Sequence, residues 1–171
     1  MKDKLSANMY LEFDQMPAQA RIWVYQSERK FTATEKAWIE DRLRQFCVNW
    51  NTHGAMMPTS FTIKFDQVII LSVDESQLGA SGCSIDSSVR TLREIEQKLG
   101  VNLLDQGKVG FLEEGDSLIV NSVFKVKESV QNGILNQDTL VLNPMVREKK
   151  DLKDNWLMSA KDTWLNKYFR N

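Results

Sequence analysis

The residues best suited to bind a ligand lie in a run of small and polar residues at positions 79–86. Small residues let backbone N–H groups converge, and the helix predicted to follow directs its free N–H groups and its dipole toward an anion. Arg90, one turn into that helix, can add a forked contact to a phosphate or a carboxylate. We therefore predict a site for a small anion or a phosphorylated ligand, formed by Ser81, Gly82, Ser84, Asp86 and Arg90. The same residues also fit an ordinary capped helix behind a flexible loop.

Covalent chemistry is the alternative for the same segment. Cys83 stands where helix N–H groups favour a thiolate, although Asp86 opposes that effect. His53 is the only histidine and hence the only candidate imidazole base for this thiol. We predict that the end of the first helix and the start of the second share one edge of a sheet, which would bring His53 near Cys83. The simpler interpretations are a packing role for Cys83 and a helix-terminal cation for His53.

Metal binding and ATP hydrolysis have weaker support. Asp74, Glu75 and Asp86 could hold a divalent cation with water ligands, but solvated loop acids are the simpler interpretation, so we predict no metal site and no cofactor. A phosphate-binding loop needs an early glycine and a hydroxyl after its lysine. The pair Gly107-Lys108 has neither, because Val109 follows it. We therefore expect no ATP hydrolysis.

Two helices and four strands would position these residues. Thr32 and Glu35 form a capping box, and a buried stripe at helical spacing follows. A second helix is expected from a cap at Ser84 to Gly100. Alternating or continuous apolar runs predict strands over residues 21–26, 61–65, 68–73 and 108–112, the last as part of a hairpin with 117–120, and we expect the 68–73 strand to be central.

This order of elements predicts an α+β fold with a split βαβ, ferredoxin-like core over about residues 20–112. We expect residues 9–171 to form a single domain, with residues 1–8 as a flexible N-terminal arm. The remainder, about residues 117–171, is predicted to be a C-terminal helical extension, with helices near 122–131 and 160–169 and a short extended piece at 139–142.

Composition narrows the function classes. The chain has 171 residues and a formal charge of −1, so nothing favours nucleic acid as a partner. No apolar run is long enough for a membrane span, and the polar start lacks the features of a signal peptide. We therefore expect a cytoplasmic protein with two free thiols and no membrane insertion. Cys47 falls on the apolar stripe of the first helix and is expected in the core.

Aromatic residues cluster near the end of the chain and suggest a surface for another protein. Helical spacing would place several of them on one face, and exposed aromatic patches with charged rims are typical of interfaces. We predict a homodimer or a protein partner bound through Trp156, Trp164, Tyr168 and Phe169. Packing of these residues against the domain's own sheet is the alternative.

Five segments carry a resemblance to a known family: residues 9–14, 21–26, 52–55, 81–90 and 160–164. With the stretch Ser81-Gly82-Cys83-Ser84-Ile85-Asp86 as the most distinctive part, the chain resembles a family of bacterial proteins often labelled "ABC transporter ATPase". The resemblance implies a name for the family but no activity, and the chain has neither the phosphate loop nor the Leu-Ser-Gly-Gly-Gln signature of such ATPases.

Taken together, these patterns favour a binding module for a small anionic ligand or a partner, without ATP hydrolysis. The alternatives are a thiol or acid–base enzyme that uses Cys83 and His53, and an assembly protein that binds through its C-terminal aromatic helix.

Overall fold

Two antiparallel sheets pack face to face, and helical segments cover the outer face of each sheet. The computed structural model describes residues 10–52, 55–77 and 79–170. The strands are β1 (Arg21–Gln26), β2 (Asn51–Thr52), β3 (Ala55–Met56), β4 (Thr59–Lys64), β5 (Val68–Val73), β6 (Lys108–Leu112), β7 (Leu118–Ser122), β8 (Leu140–Leu142) and β9 (Leu157–Ser159). The α-helices are α1 (Ala33–Asn49), α2 (Gly82–Leu99), α3 (Val126–Gln131) and α4 (Asp151–Asp154). The mixed α+β class is as predicted.

The first sheet has the strand order β1-β5-β4, with β5 antiparallel to both neighbours. All six residues of β5 are buried, as expected for the central strand of a sheet that is covered on both faces. Ile69 and Leu71 point to the helices, whereas Val68 and Ile70 point to the second sheet. The predicted hairpin with a central second strand is therefore confirmed.

Side-chain hydrogen bonds set the starts of the two long helices, and a glycine sets the end of α2. The Thr32 hydroxyl accepts the Glu35 N–H, and the Glu35 carboxylate accepts the Thr32 N–H, which confirms the capping box. α2 is capped by Ser81 rather than by Ser84, because the Ser81 hydroxyl accepts the Ser84 N–H one turn later. Gly100 ends α2 in the left-handed region, at φ +66°, where glycine has no steric penalty.

The second sheet has the strand order β7-β6-β8-β9. The predicted ferredoxin-like arrangement is not confirmed, because the fourth predicted strand, β6, pairs with β7 and β8 instead of joining the first sheet. One face of this sheet packs on the first sheet through Leu118, Val120 and Leu142. Its other face, with Val109 and Phe111, is covered by the C-terminal helical turns.

The C-terminal part is not the helical extension that the sequence predicts, since it supplies β7, β8 and β9. The helix expected over 160–169 is two short 3-10 segments, Ala160–Asp162 and Trp164–Tyr168. Thr163 separates them because its backbone is extended, and its hydroxyl accepts the Leu165 N–H to start the second segment. Among the described residues, no helix combines the length and the apolar character that a membrane crossing requires.

Candidate binding cleft at the edge of β1

The predicted anion-binding residues lie at the cap and in the N-terminal half of α2, where Ser84 is buried. Ser81 and Ser84 bond to one another: the Ser84 amide donates to the Ser81 hydroxyl at 3.2 Å, and the Ser84 hydroxyl donates to the Ser81 carbonyl at 2.8 Å. Gly82, Asp86 and Arg90 are exposed. This geometry is that of a well-capped helix, and anion binding there stays a prediction.

The predicted thiol and imidazole cannot be compared directly, because His53 lies outside the described residues. Cys83 is exposed and Cys47 is buried, and burial raises the pKa of the Cys47 thiol to about 12. The Trp50 indole N–H donates to the Ser84 carbonyl at 2.8 Å, which holds the end of α1 against the first turn of α2.

The four C-terminal aromatic residues do not share one surface. Trp156 is buried between the two sheets, with its ring 5.7 Å from that of Phe65. Trp164 is 44% exposed, whereas Tyr168 and Phe169 pack partly buried against the outer face of the second sheet. The described residues also include no group of three or more metal-ligating side chains, so Asp74, Glu75 and Asp86 do not converge on one point.

A cleft of about 960 Å³, which we name the β1 cleft, lies along the outer edge of β1. It separates β1 from the segment that follows β8. Its apolar lining includes Ile22, Val24, Leu142, Val146 and Trp156, and its charged lining is Arg21, Lys108, Arg147, Asp74, Glu75 and Glu148. Three cations and three carboxylates give the lining no net charge.

The backbone of β1 along this cleft is only partly paired. The Ile22 N–H donates to the Arg147 carbonyl at 2.9 Å, so the polar groups of Ile22 point away from β5. Because backbone direction alternates along a strand, the N–H and C=O of Val24 point the same way. The Ser27 N–H donates to the Gln67 carbonyl, on the β5 side. Odd-numbered residues therefore pair toward β5, and even-numbered residues such as Ile22 and Val24 face the cleft. Within the described ranges, no protein group bonds to Val24 across this edge.

Lys108 closes the cleft at the Gln26 end. Its ammonium group donates to the backbone carbonyls of Gln26 and Asn102. Burial lowers the pKa of Lys108, and Glu28, Asp105 and Glu96 oppose that effect electrostatically. A lysine held by carbonyl oxygens at the start of a strand is unlike the lysine of a phosphate-binding loop.

The opposite end of the cleft is rich in carboxylates. The Arg21 guanidinium lies 4.5 Å from the Trp23 ring centroid and 3.4 Å from a Glu75 carboxylate oxygen. The other Glu75 oxygen accepts the Ala80 N–H at 2.9 Å, which fixes the carboxylate in place. Asp74 and Glu148 also line this end.

Sequence reasoning missed the β1 cleft, because its walls are far apart along the chain. The residue types of β1 predict a strand. The neighbouring sequence, however, does not indicate that the outer edge of this strand is unpaired. One signal was present: Gly110, a glycine inside a strand, is typical of a close approach by another group. A Cβ added there would lie 2.2 Å from the Gln26 side-chain oxygen, at the Lys108 end of the cleft.

Comparisons of the chain with family models, with curated proteins and with solved structures give no match. The resemblance to the family labelled "ABC transporter ATPase" therefore stays a prediction.

Proposed function

We propose that the protein is a binding module without ATP hydrolysis of its own, and that it holds an extended peptide in the β1 cleft as an added strand. The observation that carries this proposal is the unpaired backbone of Val24 on the wall of a large cleft. The N–H and C=O of Val24 have no protein partner within the described ranges, and a peptide backbone presents the complementary groups at the same spacing.

The open edge sets the length of the peptide. It extends from Ile22, which Arg147 already pairs, to Gln26, whose carbonyl Lys108 occupies. At about 3.3 Å per residue this span is about 13 Å, which suits roughly four residues of an extended chain. A second copy of the protein fits less well, because the edge lies in a recess between two walls, where a slender single strand can enter.

Side-chain selectivity follows from the two sides of the cleft. Alternate residues of an added strand point to opposite faces. One set would face Leu142, Val146 and Trp156, which favours apolar side chains.

The proposed peptide takes the place of the fourth strand in a split βαβ arrangement. The order β1-β5-β4, with α1 connecting β1 to the β4–β5 hairpin, is the first part of that arrangement. In a complete ferredoxin-like sheet the fourth strand lies beside β1. Here β6 belongs to the second sheet instead. The position beside β1 is therefore open to a ligand strand, which supports the proposal.

The experiment is a binding screen with tetrapeptides. We expect tetrapeptides with alternate apolar residues to bind, and methylation of their central backbone nitrogens to weaken binding by about tenfold, or 1.4 kcal/mol, for each hydrogen bond lost. Val24→Pro removes the protein's donor but no bond to β5, because the Val24 N–H faces the cleft, and proline is tolerated on an edge strand. The variant should unfold near the wild-type temperature and bind the same peptides more weakly.

Several results would contradict the proposal. Peptides that bind Val24→Pro and wild type equally, with no effect of backbone methylation, would show that no strand is added. A screen in which no tetrapeptide binds would reject the peptide as ligand. Magnesium-dependent ATP turnover by the purified chain, abolished in Lys108→Ala, would reject the absence of ATP hydrolysis.

The anion site at Ser81–Asp86 and the thiol chemistry of Cys83 with His53 stay predictions from the sequence. They do not depend on the β1 cleft, because Cys83 and Arg90 do not line it. For the assembly hypothesis, Trp164 is exposed and available to a partner, whereas Trp156 is buried and does not belong to such a surface.

A further inference from the structure

A second, smaller cavity lies at the turn between β4 and β5, and its chemistry differs from that of the β1 cleft. Its volume is about 370 Å³. Four of its lining residues are apolar and three are lysines: Phe13, Phe65, Leu152, Trp156, Lys64, Lys149 and Lys153. We name it the lysine pocket. No carboxylate is among these residues, so the lining carries three positive charges.

Lys149 is held in position by the protein itself. Its ammonium group donates to the Asp14 carbonyl at 3.0 Å and to the Met16 carbonyl at 2.7 Å, and lies 5.4 Å from the Phe13 ring centroid. Two of its three donors are thereby used, which leaves one for a ligand. The lysine is therefore fixed before any ligand arrives, so binding requires little additional ordering.

Lys64 and Lys153 are exposed, and neither has an ion pair with any described residue. Among the acids near these lysines along the chain, Asp154 is exposed and does not line the pocket, and two others already have partners. Asp66 pairs with Lys36 at 2.8 Å, and the Asp151 carboxylate accepts the backbone N–H groups of Arg147 and Glu148. No carboxylate of the lining therefore neutralises the positive charge of the pocket.

Flat aromatic rings form the apolar side of the pocket. The Phe65 and Trp156 rings lie 5.7 Å apart at an angle of 51°. Phe65 and Asp66 both have positive φ, 56° and 54°, in the tight turn between the strands. Glycine or asparagine suits that conformation, and a phenylalanine there is strained. Strained backbone positions cluster at functional sites, and here the strained residue places an aromatic ring in the lining of the pocket.

We propose that the lysine pocket binds an organic anion in which a flat apolar body is joined to a phosphate or a carboxylate. The body packs against Phe65, Trp156 and Phe13, and the anionic group contacts Lys64, Lys149 and Lys153. This site differs from the β1 cleft, because Trp156 is the one residue that the two linings share. It also lies at the opposite end of the β4–β5 hairpin from the predicted anion site at Ser81.

The test uses four probes: 1-naphthyl phosphate, 1-naphthoate, the neutral 1-naphthalenemethanol and inorganic phosphate. Binding is followed through the Trp156 indole N–H resonance of the labelled, full-length chain. We expect one or both naphthyl anions to shift it with saturation, and the neutral alcohol and free phosphate to bind at least about tenfold more weakly. The two naphthyl anions show which anionic group the pocket prefers.

The double variant Lys64→Gln/Lys153→Gln should bind the tighter-binding naphthyl anion about tenfold or more weakly than wild type does. Lys127→Gln, which removes an exposed lysine of α3 away from the pocket, is the matched control and should bind as wild type does. Equal binding of the neutral alcohol, unchanged affinity in the double variant, or no shift with either naphthyl anion would each overturn the proposal. The first and third outcomes need only the wild-type protein, so they hold even if the double variant fails to fold.

Discussion

The Arg147 carbonyl oxygen lies 2.9 Å from the Ile22 amide nitrogen and accepts its hydrogen bond. A second bond, from the Lys149 N–H to the Ala20 carbonyl at 2.9 Å, extends this contact away from the centre of β1. The returning chain therefore pairs with the first residues of β1 and leaves Val24 open. The outer edge of β1 is divided into a paired part and an unpaired part, and the unpaired part forms the wall of the β1 cleft.

The approach of Gln26 to Gly110 predicts a coupled pair of mutations. A Cβ at position 110 would lie 2.2 Å from the Gln26 side-chain oxygen and 3.0 Å from a Leu142 methyl carbon. Gly110→Ala should therefore lower the free energy of unfolding by about 1–3 kcal/mol through overpacking. Gln26→Ala should be milder, because that buried oxygen has no hydrogen-bond partner among the described residues.

The double variant should recover part of the loss, with a coupling energy of about 1 kcal/mol in denaturant unfolding. Gly82→Ala is the control, since a Cβ there would meet no atom within 4 Å. It should leave stability unchanged or raise it by up to about 1 kcal/mol. Strictly additive effects of Gly110→Ala and Gln26→Ala would show that the two residues do not compete for the same space.

Glu35 predicts a specific loss of stability in acid. The Arg29 guanidinium donates to both of its carboxylate oxygens at 2.8 Å, and the Thr32 N–H donates to one of them. These bonds lower the pKa of Glu35 from 4.5 to about 2. A lowered pKa in the folded state means that the stabilisation is complete above the unfolded value of 4.5 and is lost as the pH falls toward 2.

Glu35→Gln keeps an acceptor for the capping box and removes the titration. The wild-type melting temperature should therefore fall more steeply than that of Glu35→Gln between pH 4.5 and about 2. Glu114→Gln, in an exposed turn, should follow the wild-type curve. Parallel curves for wild type and Glu35→Gln would mean that the pair with Arg29 contributes nothing in solution. Because the pair is partly exposed, high salt should reduce the difference.

The two cysteines should differ in reactivity. Cys83 is exposed at the start of α2, whereas Cys47 is buried and its pKa is raised to about 12. Brief alkylation of the native protein near neutral pH should therefore label Cys83 first, as peptide mass spectrometry would report. In denaturant the two should react at similar rates. Equal labelling of both in the native state would indicate that α1 opens readily or that Cys83 is covered.

Helices and strands whose limits are set by residues close together in the chain were predictable from the sequence. Thr32 and Glu35 fix the start of α1, and the continuous apolar run of β5 identifies a strand covered on both faces. The position of β6 was not predictable, because alternation of Val109 and Phe111 shows that one face is buried but does not show which strands lie beside it. Two of the predicted site residues, Ser81 and Ser84, do meet at the start of α2, whereas the β1 cleft needs long-range contacts such as that of Arg147 with Ile22.

Amide hydrogen exchange at Val24, followed by NMR, tests the open edge of β1 most directly. In the free protein the Val24 N–H should exchange faster than the N–H groups of Trp23 and Tyr25, which face β5. When the best tetrapeptide saturates the protein, Val24 exchange should slow by about tenfold or more, while the exchange of Ala37, on an exposed face of α1, should not change. A Val24 N–H as protected as that of Trp23 in the free protein, or unchanged by the bound peptide, would contradict strand addition at β1.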